Sequence, residues 1–90
     1  MTPEESKKLL AEIDGWELGG EKKIEKEFKF KNFKEAIAFV NKVADLAEKE
    51  GHHPDIISHG WNKVKLELST HSIGGLSEND FIMATKINNI

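Results

Sequence analysis

Apolar positions change their spacing from one stretch of the chain to the next, and each spacing predicts an element. Near the start, Leu9, Leu10 and Ile13 fall close to one helical face behind "TPEES". Thr2 suits an N-cap, Pro3 the first helical position and Glu5 the return half of a capping box, so a helix is predicted with Gly15 as its stop. "GWEL" and "KIEKEFKF" follow, parted by Gly19-Gly20, a pair suited to a hairpin turn. In the second stretch Ile24, Phe28 and Phe30 share one parity while Glu25, Glu27 and Lys29 take the other, the mark of a half-buried strand. Lys26 is its inward-reading exception.

The period then lengthens. Phe33, Ala36, Ile37, Val40, Val43, Ala44 and Ala47 recur at helical spacing, with Asn32 placed to cap a helix over 33–50 and Gly51 to stop it. Residues 54–58 are short and β-rich, and His59-Gly60 suits the turn that follows. "KVKLELST" alternates again, with Val64, Leu66 and Leu68 inward and Lys65, Glu67 and Ser69 outward. Ser77, with Asp80 three residues on, starts a last helix through Phe81, Ala84 and Ile87. The order α-β-β-α-β-β-α, with short turns inside each β-pair, predicts an α+β fold: a four-stranded antiparallel sheet with three helices on one face.

Composition narrows the function. The 90 residues suffice for a single domain, 1–90, whose core is thin: chains this short bury only about 60–65% of their unfolded surface. There is no cysteine to brace it, which leaves oligomerisation as a common remedy. Sixteen acidic residues against 13 lysines, with no arginine and a net charge of -3, exclude an ordinary nucleic-acid binder. "MTPEESKKLL" lacks a signal-peptide h-region and no apolar run is long enough to span a membrane, so a cytoplasmic protein is expected.

The chemistry concentrates in "GHHP" and beyond, where three of the four histidines lie between positions 52 and 59. His52 falls just past a helix C-terminus, where the dipole favours a cation and suits a proton donor near neutral pH. His53 precedes Pro54, which holds it extended, so the two rings should face different ways and do different jobs. Glu48, one turn before His52, is either a solvated helix end or a group that orients or charges an imidazole. His71 shares the outward parity of Lys65, Glu67 and Ser69 and precedes "SIGG", a place for a functional side chain rather than a core histidine. Three histidines at element ends suit acid–base chemistry or, less well in the absence of a helical His-x3-His pair, a metal site. His59, beside Gly60, reads as a surface residue. Trp16 and Trp61 either cover the core's edge or wall a planar substrate.

Glu48, His52-His53-Pro54, Trp61, His71 and Asp80, in this spacing, resemble the signature of the pterin-4a-carbinolamine dehydratases. So do "FKFKNFKEAIAFVNKVADLAE" before the histidines and "WNKVKLELSTHSIGGLSENDF" after them, and the likeness runs over about residues 9–87. It implies the same α+β fold and the dehydration of 4a-hydroxytetrahydropterin to quinonoid dihydropterin, with the pterin as substrate, no cofactor and no metal. His52 and His71 would be the acid–base pair, His53 would contact substrate, and Glu48 would orient or charge the cluster. Trp61 occupies the place of a family aromatic, and Asp80 either belongs to the site or caps its helix with Ser77. Family members commonly form homodimers or homotetramers. Some act as dimerisation cofactors for a transcription factor or as assembly factors, and no motif here carries the coactivator role. "DIISHG" departs from the pattern: it lacks the tryptophan or phenylalanine often found after the proline and takes the longer spacing.

Overall fold

The structure is a computed structural model that describes residues 1–20 and 22–90. Helix α1 (Pro3–Leu10) begins with the capping box that its sequence encodes, Thr2 and Glu5 each bonding the other's backbone N–H. It stops at Leu10 rather than at Gly15, because the chain tightens there: Glu12 and Ile13 donate to the carbonyls three residues back. Gly15 instead supplies a left-handed φ of 81° where the chain passes against the Lys26 side chain.

Strands β1 (Glu17–Leu18) and β2 (Ile24–Lys29) form the first hairpin, closed by Gly19 N–H donating to the Lys23 carbonyl. Glu21 lies outside the described residues. Helix α2 (Phe33–Glu50) has Asn32 as side-chain cap and Gly51 in the left-handed conformation at its end. The second hairpin pairs β3 (Asp55–His59) with β4 (Lys63–Leu68), so His59 closes a strand and the turn lies at Gly60–Asn62. Helix α3 (Glu78–Asn88) completes the predicted order.

The sheet is antiparallel throughout and runs β1-β2-β4-β3. Alternation in β4 decides which face is covered: Val64, Leu66 and Leu68 are fully buried, while Lys63, Lys65 and Glu67 stay half-exposed on the open side. Ile24 joins them, and Ala36, Val43 and Ala47 of α2 with Phe81, Met83, Ala84 and Ile87 of α3 close the core from above. Phe33, expected on the core face of α2, is instead 55% exposed. The aromatic that reaches β2 is Phe39, its ring centroid 4.7 Å from Phe28 and 5.0 Å from Phe30.

Lys26 faces the helices, where its ammonium group finds two oxygen acceptors. Its Nζ donates to the Asp14 carbonyl and to Asn88 Oδ1, both at 3.0 Å, and the same Oδ1 accepts from Trp16 Nε1 at 3.1 Å. Asn88 Nδ2 returns a bond to the Asp14 carbonyl, so one amide ties the end of α3 to β2 and the first loop.

Candidate active site

Two helix ends and the end of one strand build the site. At the close of α2, Gly51 takes φ 64°, and both its N–H and that of His52 donate to the Ala47 carbonyl. This knots the backbone so that His52 leaves the helix along a fixed line. Beyond Leu68 the chain pinches into a small loop, with Thr70 and Gly75 bridged and a 3₁₀ turn (His71–Ile73) between them. His71 therefore opens that turn rather than ending the strand itself.

The loops meet around an open cavity of about 390 Å³ lined by Gly51, His52, His53, Pro54 and Asp55 on one side and Glu67, Ser69 and His71 on the other. His52, His53 and His71, read separately from the sequence, thus border one space. Among the described residues no set of three His, Asp or Glu side chains is arranged to hold a metal ion.

Asp80 anchors the cluster from beneath. Its carboxylate is 0% exposed and meets three donors: His52 Nε2 at 2.6 Å, the Thr70 hydroxyl at 2.9 Å and the Ser77 N–H at 3.0 Å. The Ser77 and Thr70 hydroxyls lie 2.6 Å apart, and because Thr70 spends its proton on Asp80, Ser77 donates in that pair. A carboxylate receiving those bonds has only acceptors to offer, which assigns the His52 proton to Nε2 and leaves Nδ1 as the ring atom open to chemistry. The side chain of His52 is 18% exposed, enough to face the cavity while its other edge is held. One carboxylate thus caps α3 with Ser77 and holds His52, while Asp80 itself, fully buried, is not part of the cavity lining.

Glu48 is a solvated helix end beside an imidazole, that of His53 rather than His52. It lies 3.4 Å from His53 Nε2, with both side chains exposed, and the carboxylate on His52 is Asp80. His59 pairs with Glu27 on the open face of the sheet, away from the cavity lining. Neither tryptophan forms a wall. Trp16 is buried, edge-on to Phe28 with its N–H on Asn88, and belongs to the core. Trp61 is 63% exposed with φ 55° in the β3–β4 turn, at the opposite end of β4 from His71. The substrate-contact roles expected for both are not supported by their positions in this chain.

The sequence reading passed over Thr70 and the cavity role of Glu67. Thr70 was detectable: it continues the inward parity of Val64, Leu66 and Leu68, and a polar side chain on that parity needs a buried partner.

A family model described as pterin 4 alpha carbinolamine dehydratase matches residues 1–90. The chain belongs to the pterin-4-alpha-carbinolamine dehydratase family. Named members are hydro-lyases. The chain is 46% identical over 93 residues to the mitochondrial pterin-4-alpha-carbinolamine dehydratase 2 of Arabidopsis thaliana, all of this chain aligning with 50% of that protein. It is 51% identical over 90 residues to a Nitrosospira multiformis protein provisionally named a pterin-4-alpha-carbinolamine dehydratase, covering 78% of it. The chain thus spans half the length of the plant relative and more of the bacterial one. Among solved structures, a transcriptional coactivator/pterin dehydratase from Brucella melitensis superposes with a TM-score of 0.91 at 39% identity, over 99% of this chain and 95% of that one. A pterin dehydratase-like RuBisCO assembly factor of the alpha-carboxysome aligns at a TM-score of 0.68 and 25% identity, over 83% and 87% of the two chains. No described helix of this dehydratase-family chain is long and apolar enough to cross a membrane.

Proposed function

We propose that this chain dehydrates 4a-hydroxytetrahydropterin by histidine acid–base catalysis, without metal or cofactor. The observation that carries the reading is the convergence of His52, His53 and His71 on one cavity. The C4a hydroxyl leaves as water once an acid protonates it; the electron pair of the neighbouring ring nitrogen replaces the broken C–O bond, and a base takes that nitrogen's proton. His52 and His71 share the two proton transfers, each worth roughly 10²–10⁴-fold when well placed. His53 contacts the substrate, with Glu48 beside it, and Asp80 holds His52 in the tautomer that presents Nδ1.

The test is the decay of enzymatically generated 4a-hydroxytetrahydropterin with and without protein between about pH 6 and 8. Acceleration that disappears in His52→Gln and His71→Gln variants is expected. A rate equal to the spontaneous one at every pH would sink the proposal.

A cytoplasmic homodimer or homotetramer is proposed with it, supported by the exposed Ile56 and Ile57 on edge strand β3. The likeness to an assembly factor supports a second reading, a non-catalytic binding module. A stable protein partner retained by the double histidine variant, together with absent dehydration, would favour that reading instead.

A further inference from the structure

The open face of the sheet stacks four carboxylates in one row, beginning with Glu17 of β1 opposite Glu25 of β2. Glu25 of β2, Glu67 of β4 and Asp55 of β3 are successive cross-strand partners. Like charges placed opposite each other weaken a sheet. Two lysines answer them: Lys23 Nζ lies 3.1 Å from Glu67 Oε1, and Lys65 Nζ lies 3.4 Å from Glu67 Oε2 and 3.2 Å from Glu25 Oε2. Four carboxylates against two ammonium groups leave the row negative where it meets the cavity, which Glu67 and Asp55 both line. A local rule broken beside a site is where a functional reason is to be sought.

Glu67 differs from its neighbours in how firmly it is held. Its side chain is 12% exposed, and a lysine bond on each oxygen fixes the carboxylate while leaving further lone pairs open. The Lys23 hydrogen bond keeps this acid below its ordinary range against the opposing effect of burial, and Lys65 adds to it. The result is an oriented anionic acceptor in the cavity wall, four residues before His71 along the chain.

Resting on the dehydratase reading, we infer that Glu67 selects the 2-amino-4-oxopyrimidine edge of the substrate, accepting hydrogen bonds from its adjacent 2-amino and N3–H donors. Those two donors lie side by side and match a carboxylate as a guanidinium does. The role is one of specificity. Proton transfer stays with the histidines, and Glu67 determines which ring enters and in which orientation.

Calorimetric titration with 7,8-dihydropterin and with 7,8-dihydrolumazine, whose 2-amino group is replaced by oxygen, tests the assignment. The unmodified protein should favour the amino ligand by about tenfold or more, the usual worth of a charge-assisted bond. Glu67→Gln should bring the two affinities within about threefold of each other. Lys23→Met, which breaks the same ion pair but keeps the carboxylate, and Asp55→Asn should both retain most of the preference. Equal binding of the two ligands by the unmodified protein, or a preference that survives Glu67→Gln, overturns the inference. So does a Lys23→Met variant that loses it equally, since the ion pair would then be structural. The dehydration assay reads separately: catalysis without ligand preference removes only this inference, and preference without catalysis removes only the dehydratase reading.

Discussion

Asp80→Asn replaces one oxygen acceptor with an amide donor at a fully buried position, where the carboxylate now accepts three hydrogen bonds. Whichever way the new amide turns, its NH₂ group meets the Thr70 hydroxyl and Ser77 N–H or the His52 ring proton. Hydrogen bonds to a charged group are worth about 1.5–3 kcal/mol, and a buried donor left unpaired costs about 1–3 kcal/mol. Loss of the reciprocal cap adds about 1 kcal/mol. The Thr70 hydroxyl can rotate to a new partner, which offsets part of this, so a net loss of about 2–4 kcal/mol is expected. For a domain of this size that corresponds to a fall in Tm of roughly 10–25 °C. Urea unfolding at 25 °C gives the stability. The dehydration rate, measured where the variant is still folded, should fall by about 10²-fold as His52 loses its fixed tautomer. Thr70→Val separates the two effects: it removes one donor but leaves the His52–Asp80 bond, so about 1 kcal/mol should go with most of the activity kept. If Asp80→Asn changes stability by less than about 0.5 kcal/mol and leaves the rate intact, the buried anchor has been misread.

Other outcomes follow from the same geometry. His52→Gln and His71→Gln should fold with near-native urea midpoints yet lose about 10²–10⁴-fold in rate, whereas His59→Gln, on the open sheet face, should lose almost nothing. Asn88→Ala should cost about 1–3 kcal/mol by stranding Trp16 Nε1 and removing one acceptor of Lys26 Nζ, with turnover at a permissive temperature unchanged. Glu67 is held below its ordinary value of 4.5, so its stabilising contribution is present above that pH and fades as pH falls through the lowered folded value. Urea midpoints should therefore decline below about pH 4.5, with a shallower slope in Glu67→Gln; identical slopes would contradict the ion-pair account. Gly51→Ala should lose about 1 kcal/mol from left-handed strain alone, since nothing lies within 4 Å of the added Cβ.

How much of this was legible in the sequence depends on whether the cause was local. Helix α2, strand β4 and the start of α3 were readable because periodicity and caps act over a few residues; the structure keeps the bounds of α2 and ends β4 at Leu68, two residues before the alternation stops. The end of α1 was misplaced because Gly15 serves a tertiary approach, the passage of Lys26, that no local pattern records. The fate of Lys26 itself depends on Asn88, distant in sequence, which hydrophobic alternation cannot indicate. For the site, the histidines and Asp80 were visible as residue types, but the pairing of Asp80 with His52 was not. Glu48 was the local candidate, one turn away; Asp80 reaches His52 only because α3 folds back beside the end of α2. Trp61 misled for the converse reason: its type suited a ring wall, and the hairpin carried it to the far end of the strand.

The His52–Asp80 contact also joins two helices in an electrical sense. Asp80 sits in the first turn of α3, at its positive pole, and His52 follows the last turn of α2, at its negative pole. In the proposed reaction, a proton taken up by His52 places the new cation between a helix end and a carboxylate already aligned to receive it. The dipoles facing that proton are already fixed, so part of the reorganisation that would slow the same transfer in water is completed when the chain folds.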